Sequence, residues 1–453
     1  MGIRVIVIGA GISGLSLAAS LMEKEGIGEI TVLESARRAG GKVWSEKREG
    51  YILEGGVNGF LDNKPTTLEL VSKLSMTPYR SSDNARKRFV VSGGTLNRLP
   101  ESPQAFLRSG LMGVTGKLRL ALEPFIPPAP AEKQESLADF GRRRLGREAF
   151  EKLIDPMASG IFAGDPEKMS LKHCFPRINE MEQEYGSLIR AMIKLMAKRK
   201  KSVSAAPGGT LTSFEGGLED IILALRERVG DRLRLGAETV SIDKMSSGYR
   251  VILADGTALE SEAVVLACPA YSASGIVSQI ARAAGNEMAR VYYPPLSVVA
   301  LGFSKDRIGI PLDAFGFLIP FREGRKILGT LYDSSVFTNR APEGMALLRS
   351  MAGGARNPAV AELDDQRLAE VVLSELRDIT GLRADPEFVR IFRHERAIPQ
   401  YNLGHGGLLE AVEKLELDNR GVYVTGNAYR GVSFNDCIAN SMGLAGRISN
   451  EMG

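Results

Sequence analysis

The segment Arg4-Val5-Ile6-Val7-Ile8-Gly9-Ala10-Gly11-Ile12-Ser13-Gly14 decides how the rest of the chain is read. Arg4 to Ile8 is an apolar run of strand length, rich in β-branched residues, and a glycine turn follows without a gap. Leu15, Ala18, Ala19 and Met22 then recur at helical spacing, and Glu29-Ile30-Thr31-Val32-Leu33-Glu34 reads as a second strand ending in an acid. Strand, glycine turn, helix, strand, acid is the dinucleotide-binding fingerprint in the context that gives it meaning. Each position has a physical task. Gly9 permits the tight turn, Gly11 lets the backbone approach a pyrophosphate, and Gly14 lets the helix pack close to the sheet. The diphosphate then sits at a helix N-terminus, where unpaired N–H groups and the helix dipole favour an anion. Glu34, twenty residues after Gly14, can accept hydrogen bonds from ribose hydroxyls.

Val5 to Met22 carries no formal charge and has the outward look of a signal peptide or a membrane span. Its three glycines and three serines, and the strand that follows without a cleavage-like site, argue against both. No comparable uncharged run appears later, so the expected location is the cytoplasm or a membrane face. A chain of 453 residues implies two or three domains, and 44% hydrophobic with 25% charged residues suits a globular protein. A net charge of +4 is too small for this length to suggest nucleic acid. Cys174, Cys268 and Cys437 are far apart and form no CxxC, which suits a reducing compartment without disulfides or thiolate metal sites. With only His173, His394 and His405 besides, no metal is expected. The basic cluster Lys194, Lys198, Arg199, Lys200 and Lys201 reads as a solvated face, or as a contact with an anionic membrane surface.

Two glycine-dense loops follow Glu34: Ser35-Ala36-Arg37-Arg38-Ala39-Gly40-Gly41 and Glu54-Gly55-Gly56-Val57-Asn58-Gly59. They exceed what one βαβ unit needs, and they suggest backbone contact along a long cofactor, with Arg38 helping to hold phosphate. Residues 84–200 then change character. After a strand-like Arg86-Lys87-Arg88-Phe89-Val90-Val91 and short amphipathic pieces over 106–125, Pro127-Pro128-Ala129-Pro130 makes a stiff break. Helical patterns follow at 137–145, 149–154 and 187–196. The expectation is a mostly helical insert with an apolar face resting in a lipid interface. From Pro207 the pattern returns to α/β, with a helix over 218–229. Strands at 233–235, 239–244, 249–253 and 263–267, with an Asp255-Gly256 turn, read as one β-meander. Residues 279–394 mix strands with an amphipathic helix at 363–379. Gly421 to Asn427 reads as a strand, and a helix from Cys437 to about residue 450 is expected to be capped by Asn435 or Asp436.

Arg38-Ala39-Gly40-Gly41, just after the acid-ended strand, resembles the RxGG element of the flavin-containing amine oxidase superfamily. Within that superfamily the chain is most similar to the protoporphyrinogen oxidases. The matching stretches are Ser159-Gly160-Ile161-Phe162-Ala163-Gly164-Asp165, 171–176, Glu184-Tyr185-Gly186-Ser187-Leu188-Ile189, 316–320, Ile398-Pro399-Gln400-Tyr401-Asn402-Leu403-Gly404-His405 and Gly431-Val432-Ser433-Phe434-Asn435-Asp436-Cys437-Ile438. The resemblance implies an α/β fold with a Rossmann-like FAD-binding domain and β-meander, discontinuous over 1–75, 207–278 and 395–453. An α+β substrate domain at 279–394 and the membrane-associating helical insert at 84–200 complete it. FAD would be held by Gly9, Ala10, Gly11, Ile12, Ser13, Gly14, Glu34, Ser35, Arg38, Gly40, Gly41, Lys42, Gly56, Val57, Asn58, Gly59, Thr239, His394, Gly426, Val432, Ser433 and Phe434. The C-terminal helix would aim its N-terminus at the flavin. Arg88, Gly160, Phe315, Leu318, Leu331 and Met351 would line the substrate cavity.

The implied reaction removes six hydrogens from a porphyrinogen as three hydride transfers to flavin N5, with oxygen or a quinone as final acceptor and no catalytic side chain. Such a substrate needs a flat apolar slot and a cation for a propionate: Phe315, Leu318 and Met351 would form the slot and Arg88 would pair with the carboxylate. Lys42 and His394 depart from the family pattern beside the flavin. Coproporphyrinogen III is the nearest rival substrate. Amine oxidation fits less well, for want of a paired aromatic cage, and a non-catalytic apolar-ligand carrier is the rival of another class. Peripheral membrane contact and a homodimer remain open at this point, and no nucleic-acid partner is expected.

Overall fold

The computed structural model describes residues 2–130, 132–199 and 209–453. Lys200, Lys201 and Pro207, which entered the sequence reading, lie outside them. The strand Ile3–Ile8 is the centre of a five-stranded parallel sheet, with Ile27–Glu34 and then Leu233–Leu235 on one side, and Ala263–Leu266 and then Val422–Val424 on the other. The strand order therefore reverses at Ile3–Ile8, and the crevice at such a switch point is where open α/β sheets bind ligands. Ala263–Leu266 is buried at every residue, as a central parallel strand covered on both faces must be. The sequence reading had joined 233–235 and 263–267 to the meander. Their unbroken or short apolar runs carry no signal of direction, and they belong to the parallel sheet. The meander itself has three strands, Thr239–Lys244, Tyr249–Leu253 and Ala258–Ser261.

Helix Ile12–Leu21 packs on the C-terminal helix Phe434–Met452, and Leu15, Ala18, Ile438, Ala445 and Ile448 share one core with Val5 and Val7. The two ends of the chain thus meet: Ser449 Oγ donates to the Glu25 carbonyl at 3.0 Å. The C-terminal helix begins at Phe434, and its cap is Ser433, whose Oγ accepts from the Asp436 N–H at 3.1 Å. Asn435, an expected cap, instead accepts from Thr67 Oγ1 and donates to the Leu61 carbonyl, and so ties the helix to a neighbouring strand.

A second sheet has seven strands in the order Phe388–His394, Leu296–Ser304, Met345–Gly353, Ile327–Leu331, Gly316–Leu318, Arg88–Ser92, Thr95–Arg98. All pairs are antiparallel except Gly316–Leu318 with Arg88–Ser92. Residues 88–98, assigned to the helical insert from the sequence, are therefore two strands of this sheet. A strand paired with a partner more than 200 residues away leaves no trace in its local sequence. Along Met345–Gly353 the side chains alternate. Ala346, Leu348 and Ala352 face helix Asp365–Thr380, while Leu347 and Met351 face the nucleotide-binding half. Along the chain, between the strands Thr95–Arg98 and Leu211–Ser213, lies a helical module from Pro103 to the helix Leu188–Arg199.

Candidate active site

A cleft of about 450 Å3 opens at the switch point, beyond the carboxyl ends of the parallel strands. Gly9, Gly11, Ile12, Ser13, Glu34, Ser35, Gly40, Gly41, Lys42, Val57, Thr239, His394, Gly426, Val432 and Phe434 line it. The glycines differ in what they do. A Cβ on Gly14 would overlap the Gly9 carbonyl oxygen, so Gly14 sets the distance between helix and sheet. A Cβ on Gly11 would meet nothing within 4 Å, so its space is empty of protein and faces the cleft at the helix N-terminus. Gly426, at φ +124°, likewise meets nothing. Glu34 Oε2 accepts from the Ala10 N–H at 2.8 Å and Oε1 from the Ala36 N–H at 2.9 Å, which leaves lone pairs for a ribose. Thr239 Oγ1 and both amide atoms of Asn58 are buried without a protein partner. Unpaired buried polar atoms are costly, and a polar ligand would satisfy them. A long cleft with an open helix N-terminus and waiting polar atoms fits FAD.

Other expected cofactor residues act from behind. Arg38 turns away from the cleft: Nη2 donates to the Gly41 carbonyl at 2.6 Å and the guanidinium lies 5.0 Å over the Trp44 ring. It organises the loop that carries Gly40 and Gly41, and loop carbonyls compete successfully for its donors. Ala10 is fully buried. Gly56 and Gly59 approach the carbonyls of Lys42 and Thr212 too closely for any side chain. The sequence reading missed Trp44, Glu238, Cys268, Tyr271 and Ser272, which also line the cleft. Trp44, the single tryptophan of the chain, carried no motif but its position three residues after Gly41 was a signal. It meets Phe392 edge-on at 5.0 Å.

Lys42 Nζ donates to the Arg396 carbonyl at 2.7 Å, and burial, with Arg38 nearby, lowers its pKa. His394 Nε2 lies 2.6 Å from the Gly55 carbonyl, so Nε2 carries the proton and Nδ1 is the free acceptor of a neutral ring. Burial lowers the pKa of all three histidines, His394 against the opposing pull of that carbonyl, and His173 to about 4.

The residues expected at the substrate share one side of the seven-stranded sheet. Arg88, Gly316, Leu331 and Arg349 stand in one cross-strand row, and Leu318, Gly329 and Met351 in the next row on the same face. Leu318, Leu331 and Met351 are half-buried. Helix Asp155–Phe162 lies against this face, with the Cβ position of Gly160 only 2.7 Å from Leu318 Cδ2. Phe315 precedes its strand and packs with Ala85, Val336 and Phe337, but its ring carries the Arg88 guanidinium at 5.1 Å. Among the described residues Arg88 has no carboxylate partner, whereas Arg80, Arg86 and Lys87 are paired with Asp62, Asp83 and Asp313.

Comparison with known proteins bears on this geometry. A profile of the family described as flavin containing amine oxidoreductase matches residues 12–448. The chloroplastic protoporphyrinogen oxidase of Oryza sativa is 33% identical, over 99% of this chain and 88% of its own. The coproporphyrinogen III oxidase of Bacillus subtilis is 30% identical, over 96% and 95%. A crystal structure from Exiguobacterium sp. 255-15, described provisionally as a protoporphyrinogen oxidase, superposes with a TM-score of 0.85 at 26% identity, covering 100% of this chain and 99% of that one.

Two outcomes follow. Gly11→Val, whose side chain has room in the protein alone, should fold but lose the cofactor: no absorbance near 450 nm and no quenching of Trp44 fluorescence by added FAD. Gly14→Val should lose the fold itself. Equal behaviour of the two variants, by circular dichroism and fluorescence titration, would contradict these separate roles. The depressed histidine pKa values also fix a pH dependence. Between the ordinary value near 6.5 and the folded value of about 4 for His173, the unfolded chain binds more protons, so stability falls as pH falls through that window. His173→Gln should lose less of its urea midpoint between pH 6.5 and 5 than the unmodified protein does.

Proposed function

The chain belongs to the flavin-containing amine oxidoreductase family, and from that membership we propose that it oxidises protoporphyrinogen IX to protoporphyrin IX in heme biosynthesis. The observation that carries the reading is the substrate face: half-buried Leu318, Leu331 and Met351 beside Arg88, a cation with no carboxylate of its own among the described residues. A porphyrinogen is a broad apolar macrocycle with carboxylate tails, and it needs both features. Bound FAD supplies the two-electron acceptor for each of the three oxidations. The chain's residues bind and orient. The apolar face takes the ring, Gly160 lets helix Asp155–Phe162 pack on Leu318 at the edge of that face, and Arg88 takes a propionate. The aromatic ring of Phe315 beneath the guanidinium holds that cation in place without neutralising it. The relatives described above include oxidases of both porphyrinogens, and Arg88 on the apolar face supports the protoporphyrinogen-type pocket. The carrier alternative has no such support, because these relatives are oxidases over nearly the whole chain.

Binding to an anionic membrane surface is part of the same reading. No helix of the described residues is long and apolar enough to cross a membrane. The helical module does, however, show apolar side chains outward, and buried charge holds part of its interior beside an apolar core. Val114, Leu118 and Leu122 follow one another at helical spacing and are exposed, as are Phe125 at 77%, Met192, Ile193 and Met196. Inside, Arg144 and Glu123 are fully buried, and Arg144 Nε donates to Glu182 at 2.8 Å. A protein surrounded only by water gains nothing from exposing these side chains; an interfacial helix does. Lys117, Arg190 and Lys194 would meet lipid phosphates.

Turnover assayed with protoporphyrinogen IX and coproporphyrinogen III, with and without oxygen, tests the substrate, and inertness towards both would overturn it. Arg88→Ala should raise KM about tenfold, or about 1.4 kcal/mol, with little change in kcat. Unchanged kinetics would remove Arg88 from the site. In co-sedimentation with vesicles containing phosphatidylglycerol, Leu118→Asp with Phe125→Asp should leave the protein in the supernatant, while the unmodified chain pellets.

A further inference from the structure

All three carbonyls of Glu54-Gly55-Gly56 are held by side chains of the seven-stranded sheet and its edges. Arg349, 2% exposed, donates Nη1 to the carbonyl of Glu54 at 2.9 Å and to that of Gly56 at 3.2 Å. Its Nε donates to Asp333 Oδ2 at 2.7 Å, and Asp333 is itself buried. His394 takes the Gly55 carbonyl between them. The next residue of the loop, Val57, lines the cofactor cleft, and Gly56 lies against the backbone of Lys42, which lines it too. At its other end the same guanidinium belongs to the substrate face, for Arg349 pairs with Leu331 and precedes Met351 by two residues on one side of the strand. One side chain therefore holds the loop that leads directly into the cleft wall at Val57 and stands in the sheet that would carry the substrate.

We propose that Arg349, fixed by Asp333, is a positioning residue that sets the separation and angle between the flavin cleft and the substrate face. The residue type supports this. A planar fork can bind a carboxylate with one edge and two carbonyls, two residues apart, with the other; an ammonium cannot. Hydride transfer is steep in distance, so an error of about 1 Å in the seating of two reactants costs on the order of a hundredfold in rate. The kinetic arm of the idea rests on the porphyrinogen reading above, while its spectroscopic arm does not.

The test is Arg349→Lys in the full-length holoenzyme, which keeps the charge beside Asp333 and loses the fork. Expected are FAD retention, a KM for protoporphyrinogen IX within about threefold of the unmodified value and a kcat at least about tenfold lower. The visible circular dichroism of the bound flavin should change, since the loop beside it is released. Unchanged kcat and an unchanged flavin spectrum would overturn the proposal, and so would a rise in KM alone. Should Arg349→Lys fail to fold, Asp333→Asn, which keeps the guanidinium but loosens its anchor, carries the same expectations. Failure of both to fold would assign the pair to stability alone and overturn it equally. If the unmodified enzyme turned over neither porphyrinogen, the substrate reading would fall while the spectral comparison still decided the role of Arg349.

Discussion

Two sheets of unlike architecture must be held a fixed distance apart with an open cleft between them, and buried charge does the holding. Arg340 and Arg349 reach from the substrate sheet and its flank to Glu54, to the backbone around it and to Asp333. Glu54 also accepts from Ser45 Oγ at 2.7 Å and from the Leu218 N–H at 2.9 Å, so three separate segments converge on one carboxylate. Burial raises its pKa to about 7 in spite of Arg340. Such a network is weak evidence for net stability, since desolvation offsets much of the attraction, but losing one partner costs about 3–5 kcal/mol. An apolar junction of the same volume could be as stable. It would not specify direction: greasy surfaces slide, whereas a fork on two carbonyls has one register. A cleft that must accept a cofactor on one side and a substrate on the other needs that register more than it needs the energy.

The helical module repeats the device with another purpose. Arg143 forks onto Glu135 at 2.7 Å and reaches Glu182, while Glu123 accepts from the N–H groups of Leu188 and Ile189 at 2.9 and 3.2 Å and so caps the last helix of the module. These ion pairs sit beside an apolar core of Leu137, Phe140, Phe162 and Leu171, and the module also shows Leu118 and Phe125 outward.

The nucleotide-binding half was legible because its signals are local. Gly9 and Gly14 answer backbone demands that no other residue meets, Gly11 keeps the helix N-terminus clear for a ligand, and all three follow directly on the strand Ile3–Ile8. The proposed substrate face came only from resemblance, since an apolar stripe on a strand ordinarily means core. What stayed hidden is what long-range pairing decides. Arg88–Ser92 looks like any short strand until it is seen to lie beside Gly316–Leu318, and Leu233–Leu235 joins the parallel sheet through a partner two hundred residues earlier. Arg349 gave no sign at all: a cation in the apolar run Met345–Gly353 reads as a flaw in a strand pattern until its three partners are in place. Arg38 misled in the opposite sense, because a conspicuous cation beside glycines suggests phosphate while its geometry serves the loop.

Helix Asp155–Phe162 joins these parts mechanically. At its start Asp155 pairs with Arg356 and accepts from the Phe321 N–H at 2.8 Å, so the substrate sheet grips it at two points. Ser159 accepts from the same arginine at 2.5 Å. The next residue, Gly160, rests on Leu318, and Ile161 is exposed. The helix therefore couples the helical module to the seven-stranded sheet, and the clamp by Arg356 fixes how the two sit against each other.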